Sequence, residues 1–133
     1  MYLLDTNVVS ELRKPRPSAA VVAWIRGSED KDLFVSAVTL GEIQAGIELM
    51  RMQDILKADE LEAWADQLAA SYSVLAMDAR CFRRWAKLVH RQSNTLYEDA
   101  MIAATALEHN LTVVSRNVRD FARLQVTVLN PFK

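Results

Sequence analysis

The sequence opens with MYLLDTNVVS, residues 1–10, and this stretch is the first indication of the fold. Tyr2, Leu3 and Leu4 form a short apolar run that predicts a buried strand, and Asp5 follows where that strand should end. Ligands bind at the carboxyl ends of the strands in an open α/β sheet. Asp5 is therefore a candidate site residue, although an Asp at this position is also a good N-cap for a following helix.

The composition fits one domain over residues 1–133, since 51% of the residues are hydrophobic and only three are Gly. The formal net charge is −1, so nucleic-acid binding would require a local basic patch. The single cysteine, Cys81, excludes an internal disulfide. We find neither a signal-peptide pattern nor an apolar run of the roughly 18 residues that a membrane span needs. We therefore expect a cytoplasmic protein that has no membrane partner.

Apolar runs and helical periodicities alternate along the chain. Further strands are predicted at 33–35, 74–77, 111–114 and 126–129, and helices at 8–12, 18–27, 40–50, 54–72, 79–91 and 96–109. This alternation predicts an α/β fold with a central, mostly parallel sheet of about five strands, flanked by helices on both faces. Because crossover connections are right-handed, all strand ends should lie along one edge of the sheet.

The helix predicted at 96–109 carries an acid on its inward side. Thr95 and Glu98 fit the spacing of a capping box, which leaves Asp99 without a capping role. Asp99 shares a helical face with Ile102 and Ala103, which should pack against the sheet. A buried carboxylate without a partner is costly, so Asp99 is a second candidate site residue.

The acidic candidates converge at the predicted edge. They are Asp5, Glu42, Asp99 and the stretch 117–120, although Glu42 could instead form a capping box with Thr39. Converging carboxylates raise one another's pKa or bind a cation. Oxygen ligands without nearby Cys or His suit Mg²⁺, for which Mn²⁺ can substitute. Such a site favours hydrolysis of a phosphodiester by an activated water.

Other catalytic patterns are missing from the sequence. His90 and His109 lack metal-ligand spacing, and we find no Gly-rich phosphate loop, nucleophile elbow or Cys/His pair. The predicted helix after Asp78 has a basic stripe that ends at Arg91, and such a stripe is more typical of a solvated face than of a nucleic-acid footprint. Within it Arg80 and Arg84, together with Arg116 elsewhere, are candidates for contacts with an RNA backbone.

Four segments and the chain end resemble a known family. They are LLDTNVVSEL at 3–12, SAVTLGEIQAGI at 36–47, EDAMIAATAL at 98–107, TVVSRNVRDF at 112–121 and NPF at 130–132. Their order and spacing resemble those of PIN-domain ribonucleases, and in particular of VapC toxins, including the FitB-like branch. The resemblance implies a Mg²⁺-dependent endoribonuclease toxin with a PIN-like three-layer fold.

The resemblance also implies site residues and partners. Its catalytic and metal-binding acids match Asp5, Glu42 and Asp99, and Thr6, Asn7 and Ser115 stand where the family has supporting polar residues. The implied partners are an RNA substrate, a second copy of the chain in a homodimer, and a cognate antitoxin that inserts a peptide into the active-site groove. Antitoxin binding could build a higher assembly.

One position departs from the family pattern. Many members have a fourth acid where this chain has Asn117, and Asp120 follows three residues later. We therefore expect one well-held Mg²⁺ at Asp5 and Asp99, with a second site filled mainly when RNA phosphate adds ligands. Two alternatives stay open: a catalytically impaired binding module, favoured by Asn117, and a phosphatase with Asp5 as nucleophile. The phosphatase would need a second Asp where Asn7 stands.

Overall fold

The computed structural model describes residues 1–90, 92 and 96–133. The strands in this part of the chain are β1 Tyr2–Leu4, β2 Leu33–Ser36, β3 Ser73–Leu75, β4 Thr112–Val114 and β5 Val128–Leu129. The helices are α1 Thr6–Leu12, α2 Ala19–Arg26, α3 Ala37–Arg51, α4 Ile55–Ser71, α5 Ala79–Val89, α6 Tyr97–Glu108 and α7 Val118–Arg123, with a short 3₁₀ turn at Asp30–Asp32. None of these helices is both long and apolar enough to cross a lipid bilayer.

The strands form one sheet in the order β3-β2-β1-β4-β5. Each neighbouring pair is parallel, with Leu3 of β1 opposite Phe34 of β2 and Val113 of β4. The predicted α/β class and five-stranded sheet are confirmed, and the sheet is fully parallel over these pairs. Parallel strands all end at the same edge, so the residues after β1, β2 and β4 become neighbours.

Helices cover both faces of the sheet, because side chains alternate along each strand. Leu3 and Val113 pack on one face with residues of α5, α6 and α7. Leu4 and Val114 pack on the other face with residues of α1, α2, α3 and α4. Both faces are buried, and this explains why the strands are continuous apolar runs instead of alternating polar and apolar residues.

Two helices of the second face form an antiparallel pair. Gln44 donates a hydrogen bond to Glu62, whereas Arg51, at the end of α3, reaches Asp59 near the start of α4. Arg51 also bonds Glu48 and Glu62, so one guanidinium joins both helices. A groove lies between these two helices.

Helix α6 lies close to the sheet because its inward face is built from small residues. Ala100, Ala103, Ala104 and Ala106 have no exposed surface. A thin face of this kind lets the backbone approach the strands, as a close-packed interior requires. Its first turn, which contains Asp99, is therefore held near the edge where β1 and β4 end.

Several predicted boundaries were wrong. Strand β3 covers 73–75, not 74–77, because β2, its partner strand among the described residues, gives way to α3 immediately after Ser36. Val74 is 38% exposed on this edge strand. Strand β5 starts at Val128, two residues later than predicted, after a turn at Gln125, whose φ of 60° reverses the chain.

The residues at which the helices begin test the predicted N-caps. Ser18 and Asp78 are N-caps, as predicted, and accept hydrogen bonds from Val21 and Cys81. The capping box of Thr39 and Glu42 is wrong, because α3 begins at Ala37 with Ser36 as its cap.

Helix α6 begins after Leu96, whose side chain makes no capping bond. Thr95, the predicted cap, lies outside the described residues. In α5, Trp85, Leu88 and Val89 pack inward as predicted. The inward placement of Phe82 was wrong, since 48% of it is exposed.

Candidate active site

Asp5 stands at the centre of the edge and is 5% exposed. It caps α1, with Oδ1 accepting from the Thr6 backbone N–H at 2.8 Å. Its other oxygen, Oδ2, accepts from Ser115 Oγ at 2.7 Å and from Asn7 Nδ2 at 3.1 Å. Asp5 can therefore cap α1 and also belong to the site, because Oδ1 makes the capping bond and Oδ2 bonds Ser115 and Asn7.

Ser115 joins the ends of β1 and β4. Its side chain is fully buried, and while Oγ donates to Asp5 it accepts from Asn7 Nδ2 at 3.0 Å and from the Asn117 backbone N–H at 2.9 Å. Asn7 Oδ1 in turn accepts from the Arg116 backbone N–H at 3.2 Å. These bonds fix the direction of the Asp5 carboxylate.

Asp99 enters the same network through Asn117. The Asn117 amide Nδ2 donates to Asp99 Oδ2 at 2.9 Å. Asn117 occupies the N-cap position of α7 but makes no capping bond with its side chain, which turns to Asp99 instead. A continuous set of hydrogen bonds therefore runs from Asp99 through Asn117 and Ser115 to Asp5.

Glu42 is linked to this group through Thr6. Thr6 Oγ1 lies 3.3 Å from Glu42 Oε1 and 3.1 Å from Thr39 Oγ1, at hydrogen-bond distance from both. Thr39 is fully buried in the first turn of α3. Acids that are far apart in the sequence, one directly after β1 and the others on α3 and α6, are thus linked through the hydroxyl and amide groups of neighbouring residues.

Burial is the largest cause of the raised pKa values of Asp5 and Asp99. Burial raises the pKa of Asp5, against the lowering effect of its bonds from Ser115 and Thr6. Burial and the charges of Asp5, Asp120 and Glu98 raise the pKa of Asp99 to about 6, although the Asn117 amide lowers it. Negative charge is therefore held at this edge at an energetic cost, which a bound cation would offset.

Glu98 is a neighbour of the site that the sequence did not reveal. Burial, followed by the charge of Glu98 and a hydrogen bond with its carboxyl group, raises the pKa of Glu42 to about 7. The sequence assigned Glu98 to a cap, and the signal that could have revealed it is the pair of acids, Glu98 and Asp99, at one helix start. Asp120 also lies near enough to repel Asp99.

The donors at this edge are carboxylate, hydroxyl and amide oxygens. Among the described residues, no three Asp, Glu, His or Cys side chains already form a complete cation cage. Mg²⁺ is usually bound by one or two carboxylates and keeps several waters, so an open group of acids fits it better than a closed cage. Asp5, Asp99 and Glu42 are the residues that could hold such an ion.

The three arginine candidates have different positions. Arg116 directly follows Ser115, and its guanidinium carbon lies 3.9 Å from the centre of the Phe132 ring. Its Nη2 is 4.0 Å from the carboxylate of buried Glu11. The Arg116 guanidinium is thus held by an aromatic face and a charge, while its backbone directly follows Ser115 of the site.

Arg80 and Arg84 are not brought to the acids. Arg84 Nε and Nη2 bond Glu108 at 2.8 and 2.7 Å, and Glu108 is the last residue of α6. Asp99 is nine residues earlier, which is about 14 Å along a helix. Arg80 shares the surface cleft of Arg84 and Glu108, so both arginines lie at the far end of α6.

A groove of about 270 Å³ leads away from the acids between α1, α3 and α4. Thr6 and Glu42 form its inner end, and Arg13 lies along its side. The rest of the lining is mainly apolar and consists of Ile43, Gly46, Ile47, Met50, Leu61 and Trp64, with Ser10. The site therefore opens into an apolar channel wide enough for side chains of another molecule.

Comparison with known proteins agrees with this geometry. The PIN domain family model matches residues 2–126. The chain is 32% identical to toxin FitB of Neisseria gonorrhoeae, covering 99% of each protein, and 33% identical to VapC ribonuclease Y4jK of Sinorhizobium fredii, covering 100% of this chain and 99% of that protein. The crystal structure of FitAcB from Neisseria gonorrhoeae superposes with a TM-score of 0.88 at 32% identity, over 99% of both chains. From its sequence and its fold, this chain belongs to the PIN-domain family.

Proposed function

We propose that this protein is a metal-dependent endoribonuclease that acts as the toxin of a type II toxin–antitoxin pair. The observation that carries the proposal is the bonded group Asp5, Ser115, Asn117 and Asp99, with Glu42 attached through Thr6. The names of two full-length relatives, a toxin and a VapC ribonuclease, support the same activity. A cytoplasmic location follows from the proposed activity, because RNA and a newly made antitoxin are found there.

Asp5, Asp99 and Glu42 are the proposed ligands of Mg²⁺ or Mn²⁺. When bound, the ion would supply Lewis acidity, lowering the pKa of a water and stabilising charge on phosphate oxygens. The raised pKa values of these acids support a cation, since its positive charge favours their ionised forms. Asn117 adds a neutral oxygen, so we keep one strongly held ion as the expectation.

The surrounding residues position these acids. Ser115 and Asn7 hold Oδ2 of Asp5, Asn117 holds Oδ2 of Asp99, and Thr6 lies against Glu42. Each of the three carboxylates keeps at least one lone pair that is not used by these hydrogen bonds and is available to a cation. Arg116, held on Phe132, is the proposed contact for a phosphate of the bound RNA.

The role of Asn7 argues against the phosphatase alternative. The phosphatases that use an Asp at the end of the first strand as nucleophile need a second Asp two residues later, and Asn7 stands at that position. Its amide instead donates to Asp5 Oδ2 and Ser115 Oγ, so it orients a fixed carboxylate.

The apolar groove is the proposed docking site of the antitoxin. Its inner end reaches Thr6 and Glu42, so a peptide that fills it would cover the acids. Ile43, Ile47 and Trp64 offer the apolar contacts that an amphipathic helix needs. Inhibition would then follow from exclusion of RNA.

Cleavage of RNA by purified protein tests the activity. Wild type and Asp99→Asn are compared on total cellular RNA, each with Mg²⁺ and with EDTA, after equal melting temperatures show that both are folded. We expect discrete fragments from wild type with Mg²⁺ alone, and a rate at least about 100-fold lower for Asp99→Asn, since it loses a charge that supports the reaction. Equal, metal-independent rates would refute the proposal.

Asn117 favours one second candidate, a binding module with an impaired site. Its amide adds no negative charge where a further acid would strengthen cation binding. If wild type leaves RNA intact but binds it or an antitoxin, this second function is correct.

A further inference from the structure

The surface of α5 carries a dense positive patch that the proposed active site does not use. Four cations, Arg80, Arg83, Arg84 and Lys87, lie on one helical face, and α5 contains no acid. Together with Glu108 they line a cleft of about 270 Å³. The whole chain has a net charge of −1, so this cleft differs in sign from the molecule around it.

Only part of this positive charge is neutralised within the protein. Arg84 is paired with Glu108, and Arg80 lies 3.5 Å from Asp78. Arg83 and Lys87 are exposed and form no ion pair with any residue that the structure describes. Arg83 and Lys87 therefore face solvent and can bind an anion from another molecule.

The lining of the cleft favours phosphate over a protein surface. All five lining residues are charged, whereas a protein partner would need an apolar centre to bury. Arginine forks match phosphate oxygens in geometry, and repeated cations suit a repeated anion. The exposed aromatic Phe82 lies on the opposite flank of α5 and takes no part in this cleft.

We propose that the cleft of Arg80, Arg83, Arg84 and Lys87 is a second RNA-binding site, which holds backbone phosphates remote from the bond that is cut. This inference rests on the proposed ribonuclease function. The cleft adjoins the end of α6, about 14 Å along that helix from Asp99. In a stacked strand that advances about 3.4 Å per nucleotide, this distance corresponds to about four nucleotides. Substrates shorter than that cannot reach both sites.

Binding of a 20-nucleotide single-stranded RNA in EDTA tests the site without cleavage. The variant is Arg83→Gln/Lys87→Gln, and the matched control is Arg26→Gln/Lys31→Gln, which removes two exposed positive charges on and near α2. We expect the cleft variant to bind at least about tenfold more weakly, with a salt dependence reduced by about 1.4 in log–log slope for two lost phosphate contacts. The control should stay within about twofold of wild type.

Cleavage separates this inference from the proposed function. With Mg²⁺, the cleft variant should cut the 20-mer more slowly than wild type but cut a trinucleotide equally well. Equal binding and salt slopes for the cleft and control variants would overturn the inference and leave the ribonuclease intact. A change in oligomeric state with unchanged RNA affinity would also overturn it, because the cleft would then be a protein interface. If wild type cuts neither RNA, the ribonuclease proposal fails, and the binding comparison in EDTA still decides the cleft.

Discussion

At the scale of single residues, Asn117 affects the charge of the site, because it lowers the pKa of Asp99 and adds no negative charge of its own. Its amide donates to Asp99 Oδ2 at 2.9 Å, and this bond lowers the pKa of Asp99 against burial and neighbouring charges. An acid in its place would supply a ligand but lose this donor. We therefore expect Asn117 to stabilise the metal-free protein and to limit how strongly a second cation binds.

Asn117→Asp should make the metal-free protein less stable and should strengthen the binding of a cation. In EDTA we expect the free energy of unfolding to fall by about 1–2 kcal/mol, because a hydrogen bond to a charged group is lost and a negative charge is added. With Mn²⁺ the variant should gain more in melting temperature than wild type. Asn110→Asp, the same change at an exposed turn, is the control. Equal Mn²⁺-induced shifts in both variants would contradict the role of position 117.

Glu42 should make the metal-free protein less stable at high pH. Its pKa rises from 4.5 to about 7 on folding, mainly through burial, so the folded state binds its proton more strongly than the unfolded chain does. This contribution is fully present below about pH 4.5 and is lost as the pH rises through about 7. Urea unfolding in EDTA should show a steeper decline between pH 5 and 8 for wild type than for Glu42→Gln. Parallel stability curves would show that Glu42 does not titrate in this way.

At the scale of secondary-structure elements, α3 contributes its first turns to the acidic site and its later turns to the apolar groove. Its first turns carry Thr39 and Glu42 to the acids, and its later turns, with Ile47, form one wall of the apolar groove. Gly46 lies in this groove, where a Cβ atom would meet no atom within 4 Å. The helix can therefore be altered in the groove without disturbing its own packing.

Gly46→Leu should block the antitoxin but not the nuclease. The added side chain would occupy the groove, so we expect antitoxin affinity to fall at least about tenfold while Mg²⁺-dependent cleavage persists. Gly41→Leu is the matched control, because Gly41 lies in the same helix, also has open space, and does not line the groove. Isothermal titration with the antitoxin and an RNA cleavage assay measure the two effects. Normal antitoxin binding by Gly46→Leu would place the docking surface elsewhere.

At the scale of the whole molecule, the site depends on elements that meet only in the folded chain. The bond from Ser115 Oγ to Asp5 joins residues 110 positions apart, and that from Thr6 to Glu42 spans 36. The single domain over residues 1–133 and the homodimer both remain predictions. Exposed Phe82 and Tyr97, with Trp85 between them, give one apolar surface available for association.

The homodimer prediction has a direct test. Light scattering after gel filtration should give twice the 15.0 kDa mass of one chain at micromolar concentration. Phe82→Lys should shift the mass toward the monomer if this aromatic surface forms the contact, and Phe82 can be replaced without opening the core because half of it is exposed. A monomeric wild type at the same concentration would rule the dimer out.

Local patterns in the sequence were enough to predict the features that depend on burial within one element. Short apolar runs and helical periodicity predicted the strand order in the chain, the α/β class and the position of Asp5 after β1, because these follow from which side chains can be buried in each element. The motifs likewise identified Asp5, Glu42 and Asp99 as candidate site residues. The start of α3 at Ala37, which leaves Glu42 without a capping role, is a property of the folded chain that the sequence pattern did not contain.

The tertiary structure also decided every feature that depends on contacts between distant residues. It placed Ser115 between Asp5 and Asn117, turned Asn117 toward Asp99, and put Arg84 at the far end of α6. It raised the pKa values of the acids, since burial and neighbouring charge exist only after folding. A sequence pattern reports which face of an element is apolar, but hydrogen bonds and charge interactions act through space between elements, and their geometry is set when those elements pack.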